Sequence, residues 1–126
     1  MDDATRERYA AEFDRCVPFL APSVERYSFG NHDLDDLKAF VMAGKMQLWP
    51  APNSALLTEI VQHPARTGCH VAYGGGDLDE LRAMAPQIRE WARSVGCDHL
   101  TCSGRKGWAR ALGFGSEAYT VCREDI

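Results

Sequence analysis

The stretch Tyr73-Gly74-Gly75-Gly76-Asp77-Leu78-Asp79-Glu80-Leu81 decides the fold. Ahead of it, Cys69 to Tyr73 reads as a short strand, and the glycine run breaks that strand. Behind it, Asp77 and Glu80 stand at capping-box spacing, which marks a helix start. Leu78, Leu81, Ala85, Ile88, Trp91, Ala92 and Val95 then recur on one helical face until Gly96. Pro86 inside this run predicts a kink, at a cost of order 3 kcal/mol in a straight helix. Asp98 to Ser103 reads as the next strand. A strand-helix-strand unit of this kind favours parallel pairing of its two strands.

Upstream, the apolar period changes to two. Lys45 to Trp49 turns Met46 and Leu48 inward and ends at Pro50-Ala51-Pro52. Ala55 to Gln62 is a second strand, and His63-Pro64-Ala65-Arg66-Thr67-Gly68 reads as a hairpin connection to the strand at Cys69. Three strands with short connections make an antiparallel meander. Before them, Leu34, Leu37, Phe40 and Val41 form the stripe of a helix, capped by Asp33 and stopped by Gly44. An earlier helix carries Tyr9, Phe13, Cys16, Val17 and Leu20, and Pro18 with Pro22 predicts its end and a short second turn through Val24 and Tyr27. At the other end, Lys106 to Leu112 is a short helix stopped by Gly113, and Ala118 to Arg123 a last strand. The order is ααα-βββ-α-β-α-β, an α/β chain of the α+β kind around a mixed sheet.

A chain of 126 residues fits a single domain, 1–126. Hydrophobic residues at 45% and charged residues at 25% are ordinary for a globular core and argue against disorder. Fourteen Lys and Arg against 18 Asp and Glu leave a net charge of −4, without the concentrated basic face that nucleic-acid binding needs. Only Arg105, Lys106 and Arg110 form a local basic spot. No apolar run reaches the ~18 residues of a membrane span, and the charged start Met1-Asp2-Asp3-Ala4-Thr5-Arg6 is unlike a signal peptide. The expected location is cytoplasmic. The five cysteines, Cys16, Cys69, Cys97, Cys102 and Cys122, are odd in number and contain no Cys-x-x-Cys. That pattern reads as buried free thiols. Cys97, His99 and Cys102 with Cys69 or His70 match no structural zinc spacing, so no metal is expected.

The succession of strand, glycine break, amphipathic helix, strand and short helix ending in Leu112-Gly113-Phe114 resembles the GNAT superfamily of N-acetyltransferases. The resemblance covers about residues 33–123 and leaves residues 1–30 as a helical N-terminal extension, giving a GNAT-like acyl-coenzyme A N-acyltransferase fold with extra N-terminal helices. The fuller string also resembles short acetyltransferase-like proteins of phages and prophages. Its carriers are Gly44-Lys45-Met46-Gln47-Leu48-Trp49, Thr58-Glu59-Ile60, Gly75-Gly76-Asp77-Leu78-Asp79-Glu80-Leu81, Trp91-Ala92, Gly96-Cys97 and Gly104-Arg105-Lys106-Gly107-Trp108. The resemblance implies acetyl-CoA as ligand, held by Ala72, Tyr73, Gly74, Gly75, Gly76 and Asp77. It implies a protein partner or virion assembly, with no nucleic acid and no membrane, and a virion location if the protein is a phage structural component.

Two departures from the family pattern bear on function. The loop lacks the family's Arg or Gln, and Asp77, Asp79 and Glu80 crowd a helix start that would otherwise attract a pyrophosphate. The tyrosine that serves the family as acid falls on Ala109. Glu59, between Leu57 and Val61 on an apolar alternation, is the candidate catalytic base, against its plain reading as a sheet glutamate paired to a cation. Cys102 reads as a core thiol on the strand facing the acyl cleft, and Trp49 and Trp108 as core or interface anchors. Two functions stand. One is a GNAT-like domain with a degenerate acetyl-CoA site and a protein-interaction or virion-associated role. The alternative is an active acetyl-CoA-dependent N-acetyltransferase acting on a small-molecule or protein amine.

Overall fold

The computed structural model describes residues 2–104, 107–113, 115 and 122–126. Helix α1 spans Asp3–Tyr27 and α2 Leu34–Met42. Strands β1 (Gln47–Ala51), β2 (Ser54–Gln62) and β3 (Thr67–Gly76) follow, then α3 (Leu78–Ser94), β4 (His99–Cys102) and α4 (Trp108–Leu112). The sheet order is β1-β2-β3-β4. The first three strands are an antiparallel meander and β4 pairs parallel to β3, as the crossover through α3 requires. The expected strand at Ala118 to Arg123 lies largely outside the described residues, as do Arg105 and Lys106.

Two apolar layers sandwich the sheet. Phe13, Cys16, Leu20 and Val24 of α1, with Leu37 and Val41 of α2, pack on Ala55, Leu57, Ala72 and Tyr73. Leu81, Met84, Ile88 and Ala92 of α3 pack on the opposite face against Leu56, Cys69 and Val71. The alternation along β2 therefore serves both layers, odd positions toward α1 and even positions toward α3.

Three expectations are corrected. Pro18 and Pro22 do not end a helix, because α1 runs unbroken through both. They lie four residues apart on the exposed side, where water can serve the carbonyls their missing N–H groups leave free, while Phe13, Cys16, Leu20 and Val24 anchor the other side. The glycine run does not break the third strand. Gly74, Gly75 and Gly76 continue β3 in register with Leu56, Ala55 and Ser54. Leu78, the first residue of α3, and Val95, its C-cap, are exposed because they stand at the two ends of the helix, and Met84 takes a core place on the face between them. The helix also continues through the exposed Pro86.

The capping expected of α2 is present in full, whereas at α3 Asp77 caps Glu80 N–H but Glu80 does not return the bond. Asp33 accepts from Asp36 N–H at 2.8 Å, and Asp36 returns the bond to Asp33 N–H at 3.0 Å. Gly44 follows α2 at φ +75°, the left-handed turn that glycine takes without strain.

Candidate functional site

Strands β3 and β4 part company at the middle of the sheet. Their register runs from Gly68–His99 to Val71–Cys102, and the last bond is Ser103 N–H to the Val71 carbonyl at 3.2 Å. Beyond Val71, β3 continues to Gly76 beside β2 alone. At the same point the β2–β3 register slips. Leu57 faces Tyr73 and Thr58 faces Val71, so Ala72 is the extra residue of a bulge. The bulge turns both Ala72 and Tyr73 toward α1, where both are buried.

The face of the sheet at this parting carries a cluster of polar side chains. Glu59 is half-buried and directly opposite His70 in the β2–β3 register. His70 lies between two hydroxyls, that of Thr101 on β4 and that of Ser103 just past its end. Its Nδ1 is 2.7 Å from Thr101 Oγ1 and its Nε2 is 2.8 Å from Ser103 Oγ. Register explains the arrangement, since His70 pairs with Thr101 and residues two apart on a strand share a face. Burial holds the His70 pKa below its ordinary value, opposed by the Glu59 carboxylate. Behind it, the Tyr73 hydroxyl bonds His32 Nδ1 at 3.0 Å, and burial, then Glu59, push the Tyr73 pKa up. Cys102 points the other way, into the α3 layer, so it does not face this cleft.

Gly74 to Asp77 lie further along, and their polar groups are already engaged. Gly74 N–H donates to Ser23 Oγ of α1 at 3.2 Å. A Cβ at Gly75 would stand 2.6 Å from the Phe19 carbonyl oxygen, so the backbone of α1 lies directly on this segment. Gly76 has φ +113° and runs so close to Asn53 and Ser54 that a side chain has no room. Asp77 N–H donates to the Asn53 carbonyl at 2.9 Å, and the Asp77 carboxylate accepts from Glu80 N–H at 3.0 Å. Glu80 turns its carboxylate onto the β1–β2 turn, accepting from Asn53 N–H at 2.9 Å and the Ser54 hydroxyl at 2.8 Å. These bonds, the Asn53 amide first, hold the Glu80 pKa below the usual carboxylate value.

The fit to a pyrophosphate is therefore poor. A phosphate cradle needs free amides and a positive helix end. Here the amides of Gly74, Asp77 and Glu80 are bonded within the chain, and Asp77, Asp79 and Glu80 place negative charge at the opening of α3.

Of the residues named from sequence, Glu59, Ala72 and Tyr73 come together at the parting of the strands. Gly74, Gly75, Gly76 and Asp77 form a separate group under α1 and the β1–β2 turn. Sequence reasoning missed His70, Thr101, Ser103 and His32. Trp49 is part of the sheet packing, with Nε1 donating to Thr58 Oγ1 at 3.0 Å and its ring edge-on to Trp91 at 5.6 Å. Ala109 lies on α4 and offers no hydroxyl. A cavity of about 490 Å³ opens between α3 and β4, lined in part by Arg89, Arg93, Cys97 and His99, apart from both groups.

No family model and no curated protein matches the chain. Solved structures do. The wild-type protein TTHA1254 of Thermus thermophilus superposes with a TM-score of 0.62 at 16% identity, over 93% of this chain and 92% of that one. A possible acetyltransferase from Clostridium difficile 630 superposes with a TM-score of 0.51 at 11% identity, over 93% of each chain. The chain thus has an α+β, GNAT-like fold with a mixed sheet of four described strands, similar to that of a possible acetyltransferase.

Proposed function

We propose that this chain is a GNAT-like domain whose acetyl-CoA site is degenerate and whose role is protein interaction. The observation that carries the reading is the engagement of the Gly74, Asp77 and Glu80 amides by Ser23, Asn53 and Asp77, at a helix start that carries Asp77, Asp79 and Glu80. A pyrophosphate entering there must displace intramolecular bonds and face like charge, both unfavourable. The resemblance to short phage and prophage proteins supports a virion-associated partner. Calorimetric titration with acetyl-CoA tests the reading, with no binding heat expected at millimolar ligand. Saturable binding at micromolar ligand overturns it.

One observation favours a second reading, an active N-acetyltransferase acting on a small-molecule or protein amine. Glu59 stands half-buried on the sheet face opposite His70, close to where β3 parts from β4, a carboxylate suited to accept a proton from an amine. Acetyl transfer to an amine panel, lowered at least about tenfold by Glu59→Gln, establishes this reading in place of the first.

A further inference from the structure

We infer that Ser103 is a nucleophile, activated by His70, that accepts short acyl groups from uncharged esters. The pair has the geometry of an activated hydroxyl, Ser103 Oγ and His70 Nε2 at 2.8 Å. A third group holds the ring from behind, as Thr101 Oγ1 lies 2.7 Å from Nδ1. With Nδ1–H donating to Thr101, Nε2 carries the free lone pair, and the serine hydroxyl donates to it. Ser103 is exposed at the end of β4. Gly104 follows at φ +148°, a backbone that glycine alone adopts readily, and a Cβ there would stand 2.9 Å from Trp108 Nε1 of α4. The hydroxyl therefore stands where the pairing of β3 with β4 ends, on the residue that makes the last backbone bond to β3.

The charge around the pair selects the substrate. Glu59 faces His70 from β2, and Tyr73 stands beyond it on β3 with its hydroxyl bonded to His32. A carboxylate here repels anionic acyl donors and stabilises the imidazolium that forms during reaction. The inference does not depend on coenzyme A, because the ester reaches Ser103 without using the Gly74–Asp77 segment.

The chemistry balances in two halves. In the first, Ser103 Oγ bonds to the acyl carbon and passes its proton to His70 Nε2. The bond from the acyl carbon to the ester oxygen then breaks, and the leaving alcohol takes the proton from Nε2. In the second, water bonds to the acyl carbon, gives a proton to Nε2, and Ser103 Oγ leaves and recovers that proton. The products are one alcohol and one carboxylic acid, and the serine is restored.

The test uses p-nitrophenyl acetate and a fluorophosphonate probe on the full chain. Cys122 is an exposed thiol that would itself take an acyl group, so all variants carry Cys122→Ser. The expected results are a single fluorophosphonate adduct mapped to Ser103, and ester hydrolysis reduced about a hundredfold or more by Ser103→Ala and by His70→Gln. The rate should rise with pH and level off below neutrality, since His70 acts as the neutral base. Thr101 is a positioning residue. Thr101→Val should lower kcat with KM unchanged and Thr101→Ser should restore it. Adduct on another residue, or hydrolysis unchanged in Ser103→Ala with its melting temperature unchanged, overturns the assignment.

Discussion

Gly75→Ala tests the closure of α1 over the glycine segment. The new methyl carbon would sit 2.6 Å from the Phe19 carbonyl oxygen, against ordinary contact near ~3.5 Å. A backbone oxygen inside a helix cannot rotate aside, so α1 and β3 must separate by roughly 1 Å. Overpacking of this kind costs ~1–3 kcal/mol. The same movement stretches the bond from Gly74 N–H to Ser23 Oγ, already 3.2 Å long. Its loss adds ~0.5–1.5 kcal/mol. A total of roughly 2–4 kcal/mol is expected, and each kcal/mol lowers the melting temperature by ~3–5 °C in a chain this long. Gly44→Ala is the control. Nothing lies within 4 Å of a Cβ there, so only the strain of φ +75° remains, ~1 kcal/mol. Circular-dichroism melting and urea titration give both values. Ser23→Ala supplies the cross-check, since it removes the bond that Gly75→Ala already breaks. The double variant should therefore lose less stability than the two single losses added together. Melting of Gly75→Ala within ~1 °C of wild type, or strict additivity with Ser23→Ala, refutes the packing of α1 on this segment.

Three further outcomes are expected. Asp77→Ala should cost ~1 kcal/mol by removing the α3 cap, measured by urea titration, and a gain in stability would show that the cap is not used. His70 binds its proton more weakly when folded than its ordinary value of 6.5, so its contribution to stability is full above about pH 6.5 and is lost as pH falls below it. Urea midpoints from pH 7.5 to 5 should fall more steeply for wild type than for His70→Gln, and parallel curves would contradict this. Cys69, with its pKa pushed up to about 11, should resist alkylation in the native protein together with Cys16 and Cys97, while Cys122 reacts at once. Intact mass should show five adducts only after denaturation.

Local signals carried much of this fold into the sequence. Asp33 and Gly44 bound α2 because capping is decided within a few residues, and the meander and the parallel β3–β4 pair followed from short connections and a helical crossover. The misreadings of the prolines and of the glycine run share one cause, that tertiary contact overrode local preference. Pro18 and Pro22 sit on the solvent side of a helix pinned from beneath, and Gly74 to Gly76 are held in register by β2, with α1 resting on Gly74 and Gly75. The candidate site was legible only where one residue announced itself. Glu59 broke an apolar alternation. His70 did not, because its hydroxyl partners lie 31 and 33 positions away and meet it only once β3 and β4 adopt their register.

The seat of α1 on β3 also sets an order of events during synthesis. Ser23 and Gly74 are 51 positions apart, and the α1 stripe of Phe13, Cys16, Leu20 and Val24 is covered largely by β2 and β3. At ~5–20 residues per second, the ribosome needs roughly 3–10 s to deliver the strands that cover this stripe. During that interval the longest described helix has only α2 to set against its greasy side. The nascent chain therefore carries exposed apolar surface, and the aggregation risk that goes with it, until β3 emerges.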